Sequence, residues 1–368
     1  LGEGWGEGKC HGHVHRGVPS PRPSLGWRGN VSGIARALLV LFAALPVHPT
    51  AAQDTVYVSS ASNPQGYLKL SGRIADYSGE GLNIELTGGV PRSIPAEQIL
   101  KIETNYSRPQ VEADRLFAQG EFESALALYS QARTGESRAW VRRQITAQIV
   151  WCDQALERWP QAGEEFLVLV RSDPATIHFH CIPLAWLPSE PSRSLEQAAR
   201  QWLSRDDLPA AVLLGASHLL PTSAGPNALA RLKQLTATND PRVAQLALAQ
   251  TWRTVTVNAD VEQLKTWSRL VDQMQEPLRA GPYYVLGLGF AQHQQYEQAA
   301  LAWMRLPLLY PQHRQLAMRS LQDAGQALER LGRPRQAATL YAELLQTYPN
   351  TREATDARDR LEEMQKSE

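Results

Sequence analysis

His178-Phe179-His180-Cys181 places two imidazoles and a thiol within four residues. Zinc and copper both accept such ligands. Crowded into consecutive positions, the three side chains do not converge easily on one ion, and no fourth ligand accompanies them. The expectation is a loop without a metal and a chain without a cofactor. Cys181 has one thiol partner beyond residue 53, Cys152. A Cys152–Cys181 bridge would form in an oxidising compartment and tie the loop down; two reduced, buried thiols are the alternative, and both readings stay open. The sequence has no phosphate loop ending in Lys-Ser/Thr, no Gly-x-Ser-x-Gly, no His-Glu-x-x-His and no Cys-x-x-Cys. The chain is therefore not expected to be an enzyme.

The elements around that loop follow a spacing that recurs four times, an alanine and then an aromatic one helical turn later. The pairs are Ala125 with Tyr129, Ala162 with Phe166, Ala299 with Trp303, and Ala337 with Tyr341. Pro174, Pro311 and Pro349 follow three of the alanines by twelve residues, and Ser137 stands at that place in the first copy. The copies are 37 residues apart in one half of the chain and 38 in the other. A small residue lets two helices approach, the aromatic fills the groove between them, and the proline ends the unit. Gly120 and Gly332 precede their alanines by five residues, where a first helix must turn. Gly287 and Gly325 remove a side chain where the partner helix crosses.

These residues, with Tyr283, Leu286, Gly287 and Phe290 in the third copy and Leu321, Ala324, Gly325 and Leu328 in the fourth, resemble the tetratricopeptide repeat family. The resemblance covers two blocks, 106–174 and 280–351. It implies a mainly α fold, a right-handed solenoid that binds proteins rather than doing chemistry. It also implies an inner groove lined by the first helix of each repeat. Carried over, the groove positions are Arg319, Gln322, Gln326, Glu329 and Arg330 in the fourth repeat, and Tyr284, Leu288 and Gln292 in the third. A mixed groove of this kind suits an extended peptide; the alternative is a solvated helix face.

Residues 194–279 read as divergent helical repeats, with Asp240 and Pro241 as a helix start. Residues 175–193 are a Pro- and aromatic-rich loop, and the charged stretch 352–368 is expected to be a cap helix. Between 54 and 104 the period changes to two: Leu68, Leu70 and Ile74, then Leu82, Ile84 and Leu86. Gly88-Gly89 suits a tight hairpin, and Gly72 to Tyr77 marks a bend. About five short strands are expected, a small module similar to SH3-like or Sm-like folds. It would serve as a lid on the first repeat, docked by Ile99, Ile102 and Tyr106, or as an independent ligand-binding module.

The chain carries 37 basic and 37 acidic residues, and no run of like charge stands out. A nucleic-acid partner would ask for a basic stripe, so none is expected. Residues 37–45 form a short apolar run between Arg36 and Pro46, too short to span a bilayer. With the small residues before Gln53, residues 31–52 read as a secretory signal, which implies export, a periplasmic setting and no membrane insertion after cleavage. Residues 1–30 read as a non-native or disordered extension, so Cys10, His11, His13 and His15 are not expected to bind metal. The leading function is a periplasmic protein-interaction scaffold. A self-associating structural subunit and a metal binder working through His178, His180 and Cys181 are the alternatives. N-terminal sequencing of the native exported chain is expected to start next to Ala52; recovery of peptides from 4–22 in native material would contradict the reading of residues 1–30 as a non-native extension.

Overall fold

A computed structural model of the chain describes residues 54–60 and 63–367. The extension, the signal and the His/Cys group at 10–15 lie outside the described residues. Five strands come first: β1 (Asp54–Ser60), β2 (Asn63–Tyr77), β3 (Leu82–Leu86), β4 (Pro91–Ile94) and β5 (Ile99–Glu103). All pairs are antiparallel, in the order β4-β3-β2-β1-β5, with a 3₁₀ turn over Ala96–Gln98 leading into β5. The bend expected at 72–77 does not separate two strands. β2 is one strand of 15 residues that pairs with β1 through its first half and with β3 through its second. Gly72 stands at the changeover, opposite both Asp54 and Leu86, where a Cβ would run into the Glu85 carbonyl. Of the period-two residues, Leu70, Ile74, Leu82 and Ile84 lie on the buried face with Val56 and Val58 of β1, whereas Leu68 is exposed.

Fourteen α-helices follow among the described residues. Two hairpins, α1 (Arg108–Ala118) with α2 (Phe122–Gly135) and α3 (Ala139–Ala155) with α4 (Trp159–Ser172), precede the stretch 173–192. Next come α5 (Arg193–Leu203), α6 (Pro209–Leu219), α7 (Gly225–Leu235), α8 (Pro241–Trp252) and α9 (Val261–Gln273). Two further hairpins, α10 (Ala280–Gln292) with α11 (Tyr296–Leu309) and α12 (Arg314–Arg330) with α13 (Pro334–Thr347), lead to α14 (Arg352–Ser367). Local chemistry sets the starts: Ser107, Ser192, Asp240 and Asp260 each cap a helix by accepting a backbone N–H. Helices α6, α8, α10 and α12 pack side by side, and α14 packs on α12 and α13.

The four hairpins share one turn. Each places a left-handed residue five positions before its alanine: Gly120 (φ 79°), Glu157 (φ 59°), Gln294 (φ 58°) and Gly332 (φ 68°). The next N–H closes back on the fifth residue before it in all four, Glu121 to Leu116, Arg158 to Asp153, Gln295 to Phe290 and Arg333 to Leu328. This is the Schellman ending of a helix. The aromatics on the second helices are buried, and three anchor a polar tip on the helix before. Tyr129 Oη donates to Asp114 at 2.6 Å, Trp303 Nε1 to the Tyr284 carbonyl at 3.2 Å, and Tyr341 Oη to Glu329. A Cβ on Gly287 would strike the Trp303 indole, and one on Gly325 the Tyr341 ring.

The sheet and the first helices share a core. Val56, Leu70 and Ile84 belong to the same apolar cluster as Ala125, Tyr129, Trp140 and Ile145, with Ile99, Ile102 and Tyr106 packed at its margin. Arg143 on α3 reaches back to Asp76 Oδ1 and the Tyr77 carbonyl. No described helix is long and apolar enough to cross a membrane.

Two substitutions separate turn strain from helix packing. Gln294→Gly relieves a left-handed side chain and is expected to raise unfolding stability by about 1 kcal/mol. Gly287→Ala gains helix propensity but collides with Trp303, and is expected to lower stability by about 1–3 kcal/mol. Urea titration of each variant measures both.

Candidate functional site

Residues 173–192 contain only one short 3₁₀ turn, Phe179–Cys181, yet much of the stretch is core. Phe179, Cys181, Ile182, Leu184 and Trp186 are all buried. A buried loop must have its peptide groups satisfied, and here side chains from helices far along the sequence do so. Gln154 on α3 donates to the Cys181 carbonyl at 2.8 Å, and His218 Nε2 on α6 to the Pro183 carbonyl at 2.8 Å. Ser217 accepts from the Ala185 N–H at 2.8 Å, and Gln250 on α8 donates to the Ala185 carbonyl at 3.1 Å. Arg242 donates to the carbonyls of Pro174 and Thr176 and lies over the Phe179 ring at 4.2 Å. Trp186 fills the space that Gly281 leaves on α10. Asp173 accepts from the Gly79 N–H of the β2–β3 turn at 3.0 Å. The stretch is an internal strut that joins α3, α6, α8 and α10.

The Pro- and aromatic-rich loop expected here is thus largely buried. Among the described residues no group of three or more His, Cys, Asp or Glu side chains is arranged to hold a metal. His178, His180 and Cys181 are spent on packing. The Cys152–Cys181 bridge is not formed: both thiols are free and buried, Cys152 in the core shared with the sheet and Cys181 in the core of the later helices. Burial raises the Cys152 thiol to about 12 and pushes Cys181 up as well, so neither is a nucleophile.

The expected groove is also redrawn. Tyr284 is buried and donates to Asp323 Oδ2 at 3.0 Å. Gln322 is buried against α14, donating to Asp356 at 3.1 Å, because α14 covers that face of α12. Leu288 packs at the core margin. Glu329 accepts from Tyr341, while Gln292, Gln326 and Arg330 are exposed. Of the positions carried over, Glu329 lines one cleft, of about 730 Å³, and Arg319 alone lines another.

That cleft has a volume of about 780 Å³. One wall is the strut from Trp186 to Ser192, another the α3–α4 turn with Glu157 and Trp159, and a third the first turns of α12 and α14. Trp186, Leu187 and Met318 give it apolar surface; Arg314, Arg319 and Arg352 line it together with Glu157, Glu190 and Glu353. Arg319 is positioned from below, its Nε donating at 3.0 Å to Asp323, which Tyr284 also holds. Arg314 lies over the Tyr348 ring at 4.6 Å and the Phe122 ring at 5.4 Å. The arrangement offers hydrogen-bonding and charged groups beside apolar surface, the composition of a recognition site.

The strut and its supports, with Trp186, His218, Gln250, Gly281 and His313, are absent from the sequence expectation. The available signal was Ile182 to Leu187, apolar but periodic in neither a helical nor a strand sense, within a loop too long to be idle.

No family model matches the chain, and no curated protein does either. Nineteen chains of solved structures match it. One of them, an assembly chaperone of RpL4 (Acl4, residues 1–338), shares 16% identity over 72% of this chain and 99% of its own, with a TM-score of 0.27. A superposition that poor fixes neither the topology nor the activity of this chain.

Four histidines lie on or against the strut. Burial lowers His178 and His218 to about 4 and His313 to about 3, and lowers His180 as well. Their folded values lie below the ordinary 6.5, so the unfolded chain takes up protons that the folded chain refuses. Their stabilisation is complete above pH 6.5 and is lost as pH falls toward 4 and 3. Each fully responding group contributes about 1.4 kcal/mol per pH unit in that window. Urea midpoints are expected to drop steeply from pH 6.5 to 4.5, and His218→Gln to flatten the slope.

Proposed function

We propose that the protein is an exported, non-catalytic scaffold of the tetratricopeptide repeat type that holds a protein or peptide partner in the cleft beside the strut. The observation that carries this reading is the cleft itself, lined by the apolar Trp186 and Leu187 and by arginines and glutamates. Four hairpins with the same Schellman turn, a buried alanine and a buried aromatic support the repeat assignment and a right-handed solenoid. The strand order and the 3₁₀ turn before β5 support an SH3-like module. The apolar run 37–45 after Arg36 supports export to a periplasmic space.

A second reading, a self-associating structural subunit, is favoured by one feature of α11. Leu301, Leu308 and Leu309 are 62%, 68% and 55% exposed on that helix.

A crosslinking pull-down from envelope extract separates the two. The scaffold predicts a specific partner lost with Arg352→Glu/Glu190→Lys, which reverses one lining charge of each sign, and kept with Arg330→Ala, which lies off the cleft. Capture unaffected by the rim variant would overturn the cleft as the site. Recovery of this chain alone, abolished by Leu301→Asp/Leu308→Asp, would establish the structural subunit.

A further inference from the structure

The array of helices closes on itself at the start of α12, where Arg314 also lies over the Phe122 ring of α2. The start of α12 meets the α3–α4 turn, about 160 residues earlier in the chain, where Gln315 Nε2 donates to Glu157 Oε1 at 3.1 Å. Beside that bond the His313 ring stands edge-on to Trp151 of α3, centroids 4.8 Å apart at 83°. Trp151 also packs against His180 of the strut at 6.0 Å. Glu157, Gln315 and His313 all line the cleft, so this closure forms part of its wall.

His313 is built into the closure in its neutral form. Its Nε2 is enclosed and has no hydrogen-bond partner, so the proton of an imidazolium would meet no acceptor. The residue sits at the N-cap of α12, where the helix dipole disfavours positive charge. The groups around it do not compensate. From the strut it meets His180, with His178 and Cys181 beyond; His180 Nδ1 contacts the Ile177 carbonyl. From α3 it meets Trp151, and Arg143 on the same helix is already engaged by Asp76, with Asp173 nearby. On its own helix Arg314 adjoins it and Arg319 lies further along, paired with Asp323. From the α13–α14 side Arg352 and Glu353 line the same cleft. Glu157, the carboxylate across the closure, is exposed and already bonded to Gln315.

We propose that His313 is an acid-operated latch: its protonation releases the start of α12 from α3 and opens the cleft while the hairpins stay folded. The open form frees the imidazole to water, where it titrates normally, whereas the closed form excludes the proton. Linkage then shifts the closed–open equilibrium toward open by about 25-fold between pH 7 and pH 5. Mild acid thereby controls access to the cleft, whatever occupies it.

The test is a distance across the closure in the full chain. Spin labels are placed at Gln161→Cys on α4 and Leu308→Cys on α11, both exposed, in a Cys10→Ser background; Cys152 and Cys181 are buried. Pulsed dipolar spectroscopy is expected to show a longer-distance population that grows on going from pH 7 to pH 5 and reverses on return. Far-UV circular dichroism is expected to stay constant. His313→Phe keeps an aromatic edge against Trp151 without a titrating nitrogen and should remove the growth; His313→Gln serves the same purpose if the phenylalanine variant does not fold. Three results would overturn the latch: no longer-distance population at pH 5, lengthening that appears only as helicity is lost, or equal growth in the His313 variants.

Discussion

Taking a peptide segment out of water is costly unless each of its carbonyl and amide groups is bonded again, and the architecture turns on how that cost is met for residues 173–192. Gln154, Ser217, His218, Arg242 and Gln250 come from three helices, α3, α6 and α8, and each gives its polar group to the strut backbone. In exchange the strut inserts Phe179, Ile182, Leu184 and Trp186 among those helices. An array of helical hairpins usually has contacts only between neighbours. Here a single stretch of chain touches α3, α6, α8 and α10 at once, and so couples units that would otherwise be independent.

The strut explains the surroundings of the cleft. Its outer part, from Trp186 onward, forms one wall, and its inner part holds α3 in register for the closure against α12. The histidines around it are neutral because they are enclosed, and His218 donates from Nε2, which fixes its tautomer. The same enclosure that makes the strut stable at neutral pH makes it sensitive to acid. Arg319 illustrates a related economy at the opposite wall: Tyr284 and Asp323 are buried beneath it, and their hydrogen bonds fix the direction in which its guanidinium enters the cleft.

The repeated hairpin turn shows a constraint stronger than residue type. Gly120 and Gly332 adopt the left-handed conformation at little cost, whereas Glu157 and Gln294 adopt it with a side chain in place. Backbone geometry is the same in all four because the second helix must return against the first at a fixed distance, set by the alanine and the aromatic. At residue 157 the non-glycine side chain has a use, since its carboxylate receives Gln315 across the closure. Gln294 has no such contact.

The helix pairs, their turns and the alternating strands were legible in the sequence because their causes are local. An alanine four residues before an aromatic, a glycine five residues before the alanine, and apolar residues at period two are written into neighbouring positions. What lies inside the array was not legible. The bonds that bury the strut join residues 27, 32, 35, 65 and 68 positions apart, and no periodicity links Gln154 to Cys181 or Arg242 to Pro174. Gln322 and Arg319 lie three residues apart on one helix and look alike as polar groove positions. Only the packing of α14 sends the first into the core and leaves the second facing the cleft. Sequence determined the units through local sterics and hydrophobic period; tertiary structure alone decided which polar groups face a partner and which satisfy a buried backbone.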